Sequence, residues 1–183
     1  MSIQEKYEAY RKIAKDGDIL LFRGRSFLAR SIQYFDDAYY NHSAFVYWNR
    51  GRLELLDAWY GGVEKVPASK RVKDYSPNGD FCVIRIKKPG ADIEAGISYV
   101  NNRWHAETKY HVAMLFRIAL IKKTKIDLTG LSKRDRTICS FTTRDFTNAA
   151  GVECYKNIHL ITPHDFIRYA DGDEVKILFH TKE

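Results

Sequence analysis

Cys139 is the residue whose type and position most clearly indicate chemistry. It lies at or near the start of a helix predicted over residues 136–150, which Gly151 ends in the position where glycine commonly terminates helices. A thiol in the first turn of a helix lies close to unpaired backbone N–H groups and to the positive end of the helix dipole, and both favour the thiolate. This position suits a cysteine nucleophile. Taken alone, it suits a buried core thiol at least as well.

His42 and Asp57 are the candidates for the groups that a nucleophilic thiol requires. Such a thiol needs a base within hydrogen-bond reach, and the base needs a polar partner that fixes its tautomer. His42 opens a predicted strand after a loop, so we expect the sheet to fix its side chain beside a cleft. Asp57 lies on the next strand of the same predicted hairpin, where it could share a face with His42. Taken one at a time, His42 would be interpreted as a surface histidine and Asp57 as an aspartate at the end of a strand.

The other cysteines and histidines give weaker signals. Cys82 and Cys154 complete an odd set of three cysteines without a CxxC pair, which indicates neither a disulfide framework nor a zinc knuckle. His105 and His111 have no carboxylate partner at a metal-ligand spacing, so we expect no metal or organic cofactor. Four further polar residues are predicted to be solvated, in a loop or at the surface: Asp36, Asp37, His159 and His164.

The hydrophobic pattern changes from mostly strands in the first half of the chain to mostly helices in the second. Its clearest feature is a hairpin whose turn, at residues 49–51, contains Gly51. The predicted strands cover residues 18–22, 42–48, 52–58, 63–66, 81–86 and 175–180, and the predicted helices cover residues 2–15, 27–35, 92–104, 110–122, 136–150 and a short turn at 162–167. The pattern predicts an α+β fold in which a small antiparallel sheet packs against helices.

Composition limits the classes of protein that the chain can belong to. With 183 residues and 45% hydrophobic content, we expect a single domain over residues 1–183. The net charge of +7 is spread along the chain, so we expect no nucleic-acid partner. The first 15 residues lack the apolar run of a signal peptide, and the longest apolar stretch is far shorter than the roughly 20 residues of a membrane span. We therefore expect a cytoplasmic protein without stable membrane insertion.

Five segments resemble, in their order, a known family. They are GDILLF (17–22), NHSAFVYW (41–48), LLDAWYGGVEKVP (55–67), TICSFTTRDFTNAAGV (137–152) and ITPHDF (161–166). Together they are similar to the circularly permuted, YiiX-like branch of the NlpC-type papain-like cysteine peptidases and amidases, to which lecithin retinol acyltransferase is related. No single segment is specific, whereas five in the family's order are.

The resemblance implies a papain-like core and a role for each matching residue. Cys139 matches the family nucleophile, His42 the general base and Asp57 the orienting residue. Asp57 stands where the branch commonly has Glu, and Phe141 stands where Glu often follows the Cys-Ser pair. Tyr110 lies in a partial match to a "YD" motif that precedes the cysteine, which implies a place in the substrate site.

The resemblance and the residue chemistry agree on acyl transfer. We expect a cysteine-dependent hydrolase or acyltransferase that uses a Cys-His-Asp triad on an amide, such as a peptide or cell-wall peptide, or on a lipid ester. Two alternatives remain open from the sequence. One is a catalytically inactive binding module of the same fold, and the other is a basic nucleic-acid-binding domain. The sequence predicts no oligomeric state.

Overall fold

A computed structural model describes residues 2–59, 62–76, 78–103, 109–110 and 136–180, together with residues 118, 121 and 124. The described helices are α1 (Ile3–Arg11), α2 (Phe27–Asp36), α3 (Ala68–Tyr75), α4 (Ile93–Arg103), α5 (Cys139–Ala149) and α6 (Asp165–Arg168). The strands are β1 (Ile19–Arg23), β2 (His42–Asn49), β3 (Arg52–Trp59), β4 (Gly62–Pro67), β5 (Asp80–Ile86), β6 (Lys109–Tyr110), β7 (Arg136–Thr137) and β8 (Val175–Leu178).

Six strands form one antiparallel sheet in the order β4-β3-β2-β1-β5-β8. Strand β1 is central, and its residues 19–22 are completely buried because helices cover both faces of the sheet. This explains why the strand is continuously apolar rather than alternating. The predicted α+β class, with a small antiparallel sheet packed against helices, is confirmed.

Alternate strand residues point into two separate hydrophobic clusters. On one face, Phe45 of β2 stacks on Phe146 of α5 with ring centroids 4.1 Å apart, and α4 packs against the same cluster. On the other face, Ala44 and Val46 pack in the cluster that also contains residues of α1 and α3. The helix that begins at Cys139 therefore lies on the opposite face of the sheet from α1 and α3.

Helix α3 was missed by the sequence pattern. Within α3, only Ala68, Arg71 and Val72 are buried, and the other five residues are mostly charged or polar. Such a short segment has too few apolar positions to show helical periodicity. Tertiary packing against α1 and the sheet stabilises it instead.

Several predicted boundaries differ from those of the structure. The first helix ends at Arg11 rather than at residue 15. The expected helix start at or near Cys139 is confirmed, while Arg136 and Thr137, included in the predicted helix, pair with Lys109 and Tyr110 as two short parallel strands. The same pairing contradicts the predicted helix start at Tyr110, and most of residues 110–122 lie outside the described residues. Among the described helices, none has the length and apolar character needed to cross a membrane.

Gly96 allows α4 to approach α5 closely. A Cβ atom at this position would lie 2.8 Å from the Phe146 ring and 2.8 Å from the Phe146 carbonyl oxygen. Because backbone cannot move aside as a flexible side chain can, any larger residue would push α4 away from α5. The close approach therefore contributes to fixing the helix that carries Cys139.

We predict that Gly96→Ala lowers the free energy of unfolding by about 1–3 kcal/mol, since overpacking outweighs the higher helix propensity of alanine. Gly172→Ala is the control, because a Cβ there has no atom within 4 Å and should change stability by less than about 0.5 kcal/mol. Urea unfolding of the three proteins measures the difference. Equal stability of both variants would contradict the proposed close packing.

Candidate functional site

His42 and Asp57 form a buried hydrogen-bonded pair. The β2–β3 register pairs Phe45 with Leu56, which puts the His42 and Asp57 side chains on the same face as diagonal neighbours. The imidazole Nε2 lies 2.6 Å from Asp57 Oδ1, and the residues are 2% and 0% exposed. The hairpin therefore builds the His-Asp pair from local chain geometry, as the sequence predicts.

Cys139 reaches this pair from the other side of the sheet. It is the first residue of α5 and is 1% exposed. Because His42 is the first residue of β2, its ring lies at the end of the strand, where it can contact a helix start beyond the sheet. The charge of Cys139 acts on the imidazole and is one of the influences that raise its pKa. With Nε2 engaged by Asp57, Nδ1 is the ring nitrogen left for the sulfur.

Two hydroxyl groups fix the first turn of α5 next to His42. Thr143 Oγ1 donates to the Cys139 carbonyl at 3.0 Å and lies 3.1 Å from the hydroxyl of Ser43, the neighbour of His42. In the same turn, Ser140 Oγ donates to the Ile161 carbonyl at 2.7 Å. The backbone that carries the thiol is thus tied both to β2 and to the segment before α6.

The electrostatics of the pair favour a protonated imidazole. Burial lowers the pKa of His42, but the charges of Asp57 and Cys139 and their hydrogen bonds more than compensate and raise it to about 10. Burial likewise acts to raise the pKa of Asp57, but His42 and Arg71 outweigh it and hold the pKa below its ordinary value. A carboxylate and an imidazolium are the stable forms near neutral pH.

Arg71 is the site residue that sequence reasoning missed. Its Nε donates to Asp57 Oδ2 at 2.6 Å, so the carboxylate is held between His42 and the guanidinium. It could not be found from sequence because α3 itself was not predicted. The sequence shows only that Arg71 lies in a charged segment, and an arginine in such a segment usually has a solvated side chain.

Aromatic rings enclose the imidazole. Trp59 meets His42 edge-on with centroids 4.9 Å apart, and Tyr75 lies nearly parallel to it at 6.2 Å. Phe22 completes the enclosure at 6.2 Å. The expectation that His42 opens directly to a cleft was therefore wrong, because three rings from β1, β3 and α3 cover it.

The other two cysteines lie apart from this pair. Cys82 is completely buried in β5, and burial raises its pKa to about 12. Burial also raises the pKa of Cys154 to about 11, and its backbone N–H donates to Glu174. Both thiols are therefore held in the protonated form, unlike a thiol beside an imidazolium.

Tyr110 is placed only through its backbone, in β6, opposite Thr137. The pairing brings residue 110 next to the segment that leads into Cys139, while the Tyr110 side chain lies outside the described residues. Its role in substrate binding stays a prediction.

Asp36 and His164 differ from the solvated positions expected of them. Asp36 is the last residue of α2 and is buried. Its carboxylate accepts a hydrogen bond from Thr162 at 2.6 Å and forms an ion pair with Arg168 at 3.3 Å. His164 is half-buried, with its ring 6.0 Å from that of Tyr40. The polar ends of α2 and α6 are thus joined to each other rather than to solvent.

A small cleft, with room for about 10 Å³, lies beside the start of α5. Both neighbours of the nucleophile candidate, Ile138 and Ser140, line it. Most of the remaining wall is apolar and comes from α2 and from residues 161–163: Ile32, Asp36, Ile118, Ile161, Thr162 and Pro163. The cleft is therefore suited to an apolar group.

Within the part of the chain that the structure describes, no three His, Cys, Asp or Glu side chains converge to hold a metal ion. In the set of His42, Asp57 and Cys139, both oxygens of the carboxylate are already hydrogen-bonded, one to His42 and the other to Arg71. This arrangement suits proton transfer better than metal ligation.

Comparisons with known proteins find similarity among solved structures. No family profile matches the chain, and no curated protein sequence matches it. A crystal structure of the metalloprotein YiiX from Escherichia coli O157:H7 (DUF1105) is similar, with 22% identity and a TM-score of 0.47 over 75% of this chain and 67% of that one. This chain is similar to that protein in fold, and the likeness carries no information about activity or metal binding.

Proposed function

We propose that the chain is a cysteine-dependent hydrolase or acyltransferase with a circularly permuted papain-like arrangement, in which Cys139 is the nucleophile, His42 the general acid and base, and Asp57 the orienting residue. The observation that carries the proposal is the buried His42–Asp57 pair, together with a buried Cys139 whose charge raises the pKa of the same imidazole. The order of the sequence motifs supports it independently.

The first step is attack by the Cys139 sulfur on an amide or ester carbonyl carbon. The raised pKa of His42, caused by the charges of Asp57 and Cys139, keeps the imidazole protonated beside the thiolate. The sulfur–carbon bond forms, and the tetrahedral intermediate then breaks its bond to the leaving nitrogen or oxygen. His42 gives its proton to that leaving atom.

The backbone at the start of α5 supports the charge that develops on the carbonyl oxygen. The amides of Phe141 and Thr142 donate back to the Ile138 carbonyl, so the amides of Cys139 and Ser140 precede the first intrahelical donors. A preorganised donor aimed at an oxyanion contributes about 3 kcal/mol to transition-state stabilisation.

The second step uses the change in charge that acylation produces. The charge of Cys139 is one of the influences that raise the His42 pKa, and a thioester is neutral. Acylation therefore lowers the pKa of the imidazole, so that it stays neutral after giving its proton to the leaving group and can accept a proton from the water or alcohol whose oxygen attacks the thioester and releases the Cys139 sulfur. Water completes hydrolysis, and an alcohol or amine completes acyl transfer.

The apolar cleft beside Cys139 supports a substrate with an apolar group next to the scissile bond. Ile138 and Ile161 are among its walls, and a single buried carboxylate, Asp36, is already paired with Arg168. Such a wall favours contact with an apolar group of a substrate, whether an amino-acid side chain or an acyl chain.

Alkylation kinetics test the thiol–imidazole pair. At about pH 6, we predict that iodoacetamide modifies Cys139 at least about tenfold faster than Cys82, since one pKa unit changes the thiolate fraction tenfold. The two cysteines are 1% and 0% exposed, so burial alone cannot produce a difference. Peptide mass spectrometry gives the rate at each cysteine.

Two histidine variants complete this experiment. His42→Ala should remove the advantage of Cys139, whereas His159→Ala, at an exposed histidine, should leave it unchanged. Equal rates at Cys139 and Cys82 in the native protein would favour the inactive binding module instead.

Titration of the imidazole tests the role of Asp57. By NMR, we predict that His42 loses its proton at about pH 10 in the native protein, because Asp57 and Cys139 stabilise the imidazolium against burial. Asp57→Asn removes the anionic partner, so the His42 pKa should fall by more than about one unit. A titration midpoint that is the same in both proteins would contradict the assignment of Asp57.

A further inference from the structure

Arg71 contacts the candidate triad directly. Its Nε lies 2.6 Å from Asp57 Oδ2, while the other carboxylate oxygen lies 2.6 Å from His42 Nε2. Each oxygen of the carboxylate therefore has one charged partner, and rotation of the carboxylate would break both contacts.

The guanidinium is itself fixed on every side. Its two remaining nitrogens contact Glu64 at 2.9 Å and Asp74 at 3.2 Å, and its plane lies 4.2 Å over the Trp59 ring. Trp59 also meets His42 edge-on, so one indole contacts both cations that flank Asp57. A planar, three-nitrogen group can make this set of contacts and a lysine ammonium cannot.

The charged groups that face Asp57 come from three elements. His42 of β2 and Arg71 of α3 bond to the carboxylate, and Glu64 of β4 is its direct cross-strand neighbour. Glu64 is itself paired with Arg71, so the guanidinium also screens one carboxylate from the other. A fully buried carboxylate without such a cation would favour protonation and lose its value as a partner for imidazole.

We propose that Arg71 is a positioning residue for the reaction, which keeps the Asp57 carboxylate ionised and turned so that one oxygen faces His42. The inference rests on the proposed function for its chemical meaning, because it assigns Arg71 an effect on Cys139 that passes through Asp57 and His42.

The rate of Cys139 alkylation in a double-variant cycle tests this path. Arg71→Gln should slow alkylation about tenfold, the change that one pKa unit produces. In an Asp57→Asn background the same substitution should change the rate less than about twofold, because the carboxylate through which it acts is gone. Equal slowing in both backgrounds would overturn the proposal.

A second, half-buried arginine provides the control for stability. Arg85 contacts Asp18 at 2.6 and 2.7 Å on the same sheet, away from the triad. Arg85→Gln should lower the melting temperature as Arg71→Gln does, yet leave the alkylation rate within about twofold of the native value. If Arg71→Gln does not fold, Arg71→Lys replaces it, with a smaller slowing in the same direction; no slowing would overturn the proposal.

Carbon-detected NMR of the Asp57 carboxyl separates this inference from the proposed function. Arg71→Gln should raise the Asp57 titration midpoint by about one unit or more, and Arg85→Gln should not move it. An unreactive Cys139 in the native protein would contradict the proposed function while this titration still decides the effect of Arg71 on Asp57. An unchanged midpoint in Arg71→Gln would overturn the inference.

Discussion

The ionised carboxylate of Asp57, completely buried between two cations, is the constraint on which the rest of the site depends. A buried charge is costly unless it is paired and fully hydrogen-bonded. Here one oxygen bonds to His42 and the other to Arg71, each at 2.6 Å. The carboxylate thereby holds the imidazole in one orientation and favours its charged form. A charged imidazolium in turn favours the thiolate form of a neighbouring cysteine.

The candidate site lies at one end of the sheet because its residues come from both faces of the sheet. His42 and Asp57 share the face covered by α1 and α3, whereas the helix of Cys139 packs on the other face with Phe45 and Phe146. Only a residue at the very end of β2 can bridge the two. The hydroxyl contacts of Ser43 and Thr143 fix the helix at the height where this bridge forms.

Local pattern and motif order were enough to predict the α+β class and the hairpin that brings His42 to Asp57. The hairpin has a recognisable turn and short sequence separation, so its register follows from local rules. Arg71 and the burial of Asp36 could not be predicted in this way. Their partners lie in other elements, and a charged side chain becomes a buried one only through the tertiary structure that surrounds it.

Covalent capture at Cys139 tests the central claim most directly. The protein would be exposed briefly to p-nitrophenyl acetate and then analysed by intact and peptide mass spectrometry. We expect one acetyl group, on Cys139, as a thioester that hydroxylamine removes and that does not form in His42→Ala. Acetylation of lysines or of Cys154 without acetylation of Cys139 would contradict it.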